Sequence, residues 1–333
     1  MVTRPRTILL TRSCIRQLAE PRDYLAAMRK AFVGLARHEY ELPAVGHIAG
    51  STGAFHIKSA AHRGGAALAA IKVNGNFPGN PGTWGLPTIQ GFMALLDCER
   101  GCVLALMDSV EITARRTAAA TALAAEHLAR RDSRVLALIG CGTQAAYHLD
   151  ALVDVMEIDA VRYFDPRAEA ADAFERYARE VGMRTERAAS PRACALEAEI
   201  VVTLTPSTRP ILDLADVAPG AFVAGVGADN PAKNELAPGL LRGSRVVVDV
   251  LEQSSSMGDL HHAIAAGAMT AGEVHAALAD LVAGVARGRT SPHERFVFDS
   301  TGVALQDLAA AEMLFERARE RAGTLSVVLD DVE

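Results

Sequence analysis

The stretch Val135-Leu136-Ala137-Leu138-Ile139-Gly140-Cys141-Gly142-Thr143-Gln144-Ala145 decides the fold of this chain. Its five apolar residues predict a buried strand, and the residues after them predict a tight turn that opens a helix. Gly140 permits the turn, Gly142 lets a pyrophosphate approach the backbone, and Ala145 keeps the helix close to the strand. The pattern predicts a dinucleotide-binding βαβ unit.

A carboxylate follows at the distance that such a unit requires. Asp165 comes directly after the next predicted strand, 160–164, where it can accept hydrogen bonds from ribose hydroxyls. Its charge would repel a 2′-phosphate, although Arg167 could pair with one. We therefore predict a nicotinamide cofactor, NADH in preference to NADPH, with Thr143 and Gln144 in the phosphate turn. The alternative is an ordinary glycine turn, with Asp165 capping the next helix.

Around this turn, short apolar runs alternate with helical segments. This alternation predicts a parallel sheet that is buried on both faces. The runs are Val135 to Ile139, Ala160 to Phe164, Ile200 to Thr205, Phe222 to Val226, Val246 to Val248 and Phe296 to Phe298.

The first third of the chain has an α+β pattern instead. A helix is predicted over 21–38, strands around 55–57 and over 68–73, a loop over 74–87, and an antiparallel pair over 88–97 and 103–107. An alanine-rich helix begins at Asp108, which is spaced from Glu111 as a capping box, and is predicted to run to about Arg131. A last helix over 303–322 is expected to fold back onto this first domain. The predicted fold class is α/β, with a Rossmann-type parallel-sheet domain and an α+β domain.

Composition excludes several classes of protein. The chain has 333 residues, of which half are apolar and 22% charged, with a net charge of −6. Its basic residues are scattered, which disfavours binding to nucleic acid or to a membrane. Met1 to Leu10 lack a signal-peptide pattern, and the five cysteines include no CxxC pair. We expect a cytoplasmic protein with free thiols and no metal.

Six segments, in order along nearly the whole chain, carry a resemblance to the ornithine cyclodeaminase/mu-crystallin family. They are Ile71-Lys72-Val73-Asn74, Gly85-Leu86-Pro87-Thr88, Arg116-Thr117-Ala118-Ala119-Ala120, Gly140 to Ala145, Gly227-Ala228-Asp229 and Asp299-Ser300-Thr301-Gly302. The resemblance implies hydride exchange between a nicotinamide and the Cα of an amino acid or its imine. It also implies a homodimer, with residues 1–120 and 303–333 as the substrate and dimerisation domain and 121–302 as the Rossmann domain.

The resemblance also implies roles for particular residues. Lys72 would contact the substrate and transfer a proton, Arg116 would clamp the substrate carboxylate and border the cofactor, and Asp229 would be the catalytic aspartate. Gly227, Lys233 and Ser300 would lie near the cofactor, and Thr205, at the end of its own predicted strand, is expected to line the nicotinamide side. A planar guanidinium suits bidentate carboxylate binding, and the apolar residues before Lys72 suggest a lowered pKa. The alternatives are a surface arginine, a strand-end lysine reaching solvent and a turn or cap aspartate.

The chain departs from the family in one strand. Many members carry an arginine there, with a methionine two residues on, where this chain has His56 and Lys58. Strand alternation places His56 and Lys58 on one face, so with Lys72 and Arg116 they could form a cationic cluster that binds a second substrate carboxylate. The alternative is that both face solvent on an edge strand.

These observations predict an NAD(P)H-dependent oxidoreductase that reduces a small 2-imino acid to an amino acid. A dicarboxylic substrate such as iminosuccinate, which would give aspartate, fits the cationic cluster. Two alternatives stay open. One is a cyclodeaminase with tightly held NAD, which the missing arginine disfavours, and the other is a non-catalytic protein that binds NAD(P)H or a small ligand.

Overall fold

A computed structural model describes residues 6–43, 45–63 and 67–329 of the chain. Its contacts divide the chain into two compact units. The first unit contains the residues up to Arg116 and those from Val303 onward, and the second is Thr117–Gly302. One helix, Ser109–Leu128, runs through the point of division.

The two units together contain strands β1 to β18 in chain order. They are β1 (Thr7–Leu10), β2 (Tyr40–Glu41), β3 (Gly46–Ala49), β4 (Ala54–His62), β5 (Leu68–Asn76), β6 (Ile89–Asp97), β7 (Val103–Asp108), β8 (Val135–Ile139), β9 (Ala160–Phe164), β10 (Arg184–Arg187), β11 (Ile200–Thr203), β12 (Thr208–Leu212), β13 (Phe222–Gly225), β14 (Asn234–Leu236), β15 (Arg245–Val248), β16 (Ala276–Ala277), β17 (Phe296–Asp299) and β18 (Ser326–Val327).

The helices are numbered in the same way, with two short 3₁₀ turns at Leu214–Asp216 and Ala271–Glu273. They are α1 (Arg12–Leu18), α2 (Pro21–Ala36), α3 (Asn80–Trp84), α4 (Ser109–Leu128), α5 (Thr143–Val153), α6 (Ala168–Glu180), α7 (Pro191–Ala195), α8 (Pro238–Arg242), α9 (Leu251–Ser254), α10 (Gly258–Ala265), α11 (Leu278–Val282) and α12 (Ala304–Glu320).

The second unit is built on a parallel sheet with the order β10-β9-β8-β11-β13-β17-β15-β16. Every pairing along this order is parallel, and the central strands β11, β13 and β17 are buried throughout. Burial on both faces explains why these strands are continuous apolar runs. The predicted Rossmann-type sheet is confirmed, and β10 and β16 extend it at the edges where burial is weaker.

The first unit contains a mixed sheet with the order β18-β1-β7-β6-β5-β4-β2, and β3 also pairs with β4. Helix α12 contacts β4, β5 and β6 on one face of this sheet, and α2 packs on α12. Alternation places Ala70, Lys72 and Met93 on that covered face, where they are buried. The opposite face carries exposed apolar side chains, among them Ile71 and Phe92.

Two predicted boundaries are corrected by the structure. The segment 74–87 is not all loop, because β5 extends to Asn76 and a short helix forms over Asn80–Trp84. Helix α4 ends at Leu128 rather than near Arg131. Its predicted start is right, since the Asp108 carboxylate accepts a hydrogen bond from the Glu111 backbone N–H at 2.9 Å, as a helix cap does.

Within the described ranges, none of the helices combines the length and the apolar character that crossing a lipid bilayer requires.

Candidate active site

The glycine-rich turn between β8 and α5 has the geometry of a phosphate-binding turn. Gly140 has a φ of 100°, and a Cβ there would lie 2.9 Å from the backbone of Leu204, so only glycine fits without strain. A Cβ on Gly142 would meet no described atom within 4 Å, which leaves open space in front of the turn. Ala145 is fully buried where α5 approaches the sheet.

Asp165, at the end of β9, is hydrogen-bonded to this turn. Its Oδ2 accepts from the Cys141 backbone N–H at 2.9 Å, and both of its carboxylate oxygens accept from the Arg167 guanidinium at 3.1–3.2 Å. Burial would raise the pKa of Asp165, but the hydrogen bonds from Arg167 outweigh it, so the pKa is lowered. Asp165 is therefore a fixed negative charge beside the turn, and Arg167 is already paired with it.

A second observation agrees with the binding of a nicotinamide dinucleotide beside this turn. Gln144 Oε1 and Ser300 Oγ are buried polar atoms with no hydrogen-bond partner among the described residues. An unpaired buried acceptor or hydroxyl is costly unless a ligand or water satisfies it. Both residues were predicted to border the cofactor, and both have a free hydrogen-bonding atom for it.

Glu235 joins the loops that follow β11 and β13. Its Oε1 accepts from the backbone N–H and the hydroxyl of Thr205 at 2.6 and 2.7 Å. Its Oε2 accepts from the Thr203 hydroxyl and from the Gly227 N–H, each at 2.7 Å. Burial raises the pKa of Glu235, and these hydrogen bonds oppose the rise. The predicted cofactor residues Thr205 and Gly227 are thus tied to one buried carboxylate.

Asp229 and Lys233 form an ion pair in the segment between β13 and β14. Lys233 Nζ lies 2.7 Å from Asp229 Oδ1, and about half of the Asp229 side chain is exposed. Asp229 follows β13 at the carboxyl edge of the sheet, where ligands of such folds bind. It also lies in a turn, so the interpretation as a turn aspartate fits the same geometry.

In the first unit, Lys72 and Arg116 converge on a residue that the sequence analysis missed. Lys72 Nζ lies 2.6 Å from Asp307 Oδ2, and Arg116 Nε lies 2.9 Å from Asp307 Oδ1. The Arg116 guanidinium also donates to Gln306 Oε1 at 2.6 Å. Lys72, Arg116 and Asp307 are each at least 95% buried. The alternatives of a surface arginine and of a strand-end lysine in solvent do not hold.

Burial changes the acid–base behaviour of Lys72. Desolvation lowers the pKa of Lys72 to about 7, with repulsion from Arg116 and Lys58 adding to the effect and the Asp307 charge opposing it. The pKa of Asp307 is lowered, because attraction to Lys72 and Arg116 outweighs its own burial. At neutral pH Lys72 can therefore both hold and release a proton.

His56 and Lys58 lie on the same face of the sheet as Lys72. Lys58 is the cross-strand partner of Lys72, and His56 is the partner of Asn74. Both are half-buried, and β4 is paired on both sides, so they do not lie on an edge strand. The His56 ring packs edge-on against His47, with the ring centres 5.2 Å apart. Lys58 is thus the nearer of the two to the buried ion pairs.

The family model that matches residues 9–322 is that of the ornithine cyclodeaminase/mu-crystallin family. The chain belongs to this family. It is 35% identical over 94% of its length to an alanine dehydrogenase of Archaeoglobus fulgidus, of which the match covers 95%. The resemblance predicted from six segments is confirmed.

Two solved structures extend the likeness to the whole fold. An archaeal alanine dehydrogenase dimer with bound NAD superposes with a TM-score of 0.92 at 34% identity, over 98% of this chain and all of the other. The iminosuccinate reductase of Paracoccus denitrificans, in complex with NAD⁺, gives 0.90 at 30% identity, over 97% and 99%. Both superpositions cover the two units of this chain.

Sequence reasoning missed Asp307 although a signal was present. Gln306 and Asp307 are the two polar residues within the otherwise apolar stretch 303–311, at the start of a helix that is buried over that length. A polar pair on a buried helix face needs partners. Glu235 gave no such signal, because it lies in a short strand whose pairing only the fold reveals.

Proposed function

We propose that this member of the ornithine cyclodeaminase/mu-crystallin family reduces a small 2-imino acid to an amino acid with NADH. The chain is an oxidoreductase of the kind that acts on CH–NH₂ or C=N groups, as its relatives named alanine dehydrogenase, iminosuccinate reductase and Δ¹-pyrroline-2-carboxylate reductase are. The observation that carries the proposal is the buried pair of cations, Lys72 and Arg116, next to a covered sheet face. Buried cations of this kind suit a substrate carboxylate.

Arg116 is the proposed clamp for the carboxylate next to the imine carbon. Its guanidinium is held in place by Asp307 and Gln306, so it is oriented before a substrate binds. A fixed planar donor loses little conformational freedom on binding a carboxylate. Arg116 is also proposed to border the cofactor, as the resemblance to the family implies.

Lys72 is the proposed proton donor. Reduction of a C=N bond adds a hydride to the carbon and a proton to the nitrogen, and a donor works best when its pKa lies near the working pH. The pKa of Lys72, lowered to about 7 by desolvation, meets that requirement. Asp229 is proposed to hold the substrate nitrogen from its place after β13, where its carboxylate pairs with Lys233.

A dicarboxylic substrate such as iminosuccinate is the proposed class. Lys58, Lys72 and Arg116 supply three positive charges, and Asp307 supplies one negative charge. Among these four side chains the cations outnumber the carboxylate, which favours an anionic substrate. Lys58 is half-buried beside Lys72 and is the proposed contact for the second one.

The nicotinamide supplies the hydride. The residues proposed to hold the dinucleotide are Gly140, Gly142, Thr143, Gln144, Ala145, Asp165, Arg167, Thr205, Gly227, Lys233 and Ser300. Asp165 favours NADH, because its charge is buried, ionised and already paired with Arg167, which leaves the guanidinium less available to a 2′-phosphate.

The first unit is also proposed to pair with a second copy of the chain. The open face of its sheet exposes Ile48, Phe55, Ile71 and Phe92 in neighbouring strands. Contiguous exposed apolar side chains mark an interaction surface, and the archaeal relative above is described as a dimer.

The test is steady-state oxidation of NADH and NADPH with pyruvate, glyoxylate and oxaloacetate, each with ammonia or methylamine. We expect turnover that requires both the oxo acid and the amine, with oxaloacetate the best substrate. Proline and ammonia release from ornithine without net NADH oxidation would instead indicate cyclodeaminase activity. Tight cofactor binding with no turnover on any substrate would indicate a binding protein.

Arg116→Lys tests the clamp. A lysine keeps the charge but loses the fork, so we expect kcat/KM for the oxo acid to fall by about 10- to 100-fold, mainly through KM. Arg115→Lys is the matched control, since Arg115 precedes Arg116 on α4 but pairs with Glu111. An Arg116→Lys enzyme with wild-type KM would remove Arg116 from the substrate site.

A further inference from the structure

Asp307 lies at the centre of the cationic cluster, at the start of α12. Its two oxygens face different cations, with Oδ1 on Arg116 Nε at 2.9 Å and Oδ2 on Lys72 Nζ at 2.6 Å. Only 2% of its side chain is exposed. Its neighbour Gln306, fully buried, accepts from a second nitrogen of Arg116.

This arrangement fixes both cations. A buried carboxylate is tolerated only when it is paired, and the same holds for a buried lysine or arginine. Asp307 and the two cations therefore hold each other in one geometry, since moving either cation would leave a buried charge without its partner. The carboxylate bridges side chains from β5 and α4, which are not sequence neighbours.

We propose that Asp307 is a positioning residue of the substrate site, which holds Lys72 and Arg116 side by side and keeps Lys72 as an ammonium able to deliver a proton. This inference rests on the proposed function, because it concerns the same two side chains. Lys72, Arg116 and Asp307 together carry one net positive charge, which suits one substrate carboxylate. With no negative charge at Asp307, repulsion between the two cations would favour a neutral Lys72 amine, which cannot give the proton.

The charges around Lys72 set the direction of the expected change. Asp307 from α12 attracts the ammonium, whereas Arg116 from α4 and Lys58 from β4 repel it. The Thr113 hydroxyl, also on α4, lies 3.4 Å from Nζ and is uncharged. Asp307→Asn removes the only attraction among these charges and keeps the shape of the side chain. The pKa of Lys72 must then fall.

The first experiment needs no substrate. The protein is labelled with ¹³C-lysine, the Lys72 Cε resonance is assigned with Lys72→Met, and its chemical shift is followed against pH. We expect a midpoint near 7 in the wild type and a midpoint at least about one pH unit lower in Asp307→Asn. Glu312→Gln is the matched control, because Glu312 is an acid on the same helix that pairs with Lys30 at 3.5 Å. An unchanged Lys72 midpoint in folded Asp307→Asn overturns the proposal.

The second experiment separates position from charge. Asp307→Glu keeps the charge but moves the carboxylate by one methylene, so we expect the Lys72 midpoint to stay near that of the wild type while KM for the oxo acid rises at least about threefold. An unchanged KM in Asp307→Glu overturns the positioning role, and this variant decides the question if Asp307→Asn does not fold.

In an active enzyme, Asp307→Asn should also move the basic limb of the kcat/KM profile to lower pH by the same amount as the midpoint. If no imine substrate is turned over, the proposed function fails while the lysine titration still decides the charge effect.

Discussion

At the scale of single residues, Asp165 and Arg167 form the pair that is proposed to set the cofactor preference. The Asp165 carboxylate accepts from the glycine-rich turn on one side and from Arg167 on the other. It is almost fully buried, whereas about two thirds of the Arg167 side chain is exposed. The Asp165 carboxylate is therefore buried beside the turn, and Arg167 is an exposed residue that pairs with it.

This arrangement predicts that Asp165→Ala changes the cofactor preference. Loss of the charge frees Arg167 for a 2′-phosphate and removes the proposed ribose acceptor, so the kcat/KM ratio of NADH to NADPH should fall at least about tenfold. The ratio is measured with one oxo acid and ammonia at fixed pH. Asp172→Ala is the control, since Asp172 is a half-exposed acid that pairs with Arg187, and it should leave the NADH value within about threefold. A ratio unaffected by Asp165→Ala would exclude Asp165 as the ribose ligand.

At the scale of elements, Glu235 connects three segments of the Rossmann domain. It lies in β14, a three-residue strand, and accepts hydrogen bonds from the end of β11 and from the loops after β11 and β13. A Cβ on Gly227 would lie 2.2 Å from the Thr205 carbonyl oxygen and 2.7 Å from Glu235, so the two loops approach as closely as glycine allows. The position of the predicted cofactor residues thus depends on a carboxylate outside the main sheet.

We therefore expect Glu235→Gln to damage both stability and cofactor binding. The amide nitrogen cannot accept the donors that now face one carboxylate oxygen, which should cost about 1–3 kcal/mol of unfolding free energy and raise the Kd for NADH. Thermal melts and fluorescence titration with NADH measure the two effects. Glu273→Gln, which removes a half-exposed acid that caps a 3₁₀ turn, should leave the Kd for NADH unchanged. Wild-type NADH affinity in Glu235→Gln would contradict the loop-ordering role.

A second element-scale feature is the pair of buried acids at α10. The Asp299 carboxylate accepts from the backbone N–H groups of Asp259 and Leu260, and Asp259 Oδ1 accepts from those of Glu235 and Leu236. Asp259 Oδ2 is buried without a hydrogen-bond partner in the described chain. Desolvation, with repulsion from Glu235, raises the pKa of Asp259 to about 7.

This raised pKa predicts a pH-dependent stability. An unfolded aspartate has a pKa of about 3.8, so the folded protein retains a proton that the unfolded chain releases between pH 4 and 7. The contribution of Asp259 is complete below about pH 4 and is lost as the pH rises toward 7. Asp259→Asn should therefore gain stability relative to wild type over this window, by roughly 1 kcal/mol per pH unit at the steepest.

Melting curves of wild type and Asp259→Asn at each pH test this stability change, with the exposed Asp154→Asn as control. A constant difference in melting temperature across the window would show that Asp259 does not titrate there.

At the scale of the whole molecule, the mixed sheet of the first unit has two chemically different faces. The face covered by α12 buries Lys72 and its partners, and the open face carries exposed apolar residues from β3 to β6. Strand alternation makes this division unavoidable, because Ile71 and Val73 must point away from the side to which Lys72 points.

The open face predicts that Ile71→Glu together with Phe92→Glu weakens self-association. Burying these charges against a second copy would leave them unpaired, so a dimeric wild type should become monomeric at micromolar concentration. Light scattering coupled to size-exclusion chromatography gives the mass. Val285→Glu is the matched control, since Val285 is an exposed apolar residue of the second unit. A double variant that stays dimeric would place the interface elsewhere.

Much of the Rossmann unit was predictable from the sequence because its signals are local. The bounds of β8 and β9 agree with the predicted runs, and the glycine-rich turn lies between β8 and α5. The edge strand β10 was not predicted, since its weak burial leaves little apolar pattern, and β16 is only two residues long. In the first unit, the short helix Asn80–Trp84 was missed because Gly and Pro dominate its neighbourhood.

The sequence by itself determined the glycine-rich turn, the parallel sheet and the family, because each follows from residues that are close in the chain or recur in a fixed order. Only the tertiary structure decided what surrounds the two cations. Asp307 reaches Lys72 and Arg116 across 235 and 191 positions of the chain, and no local pattern encodes a contact at that separation. The physical reason is burial, since a charge removed from water must find its partner wherever the fold brings one.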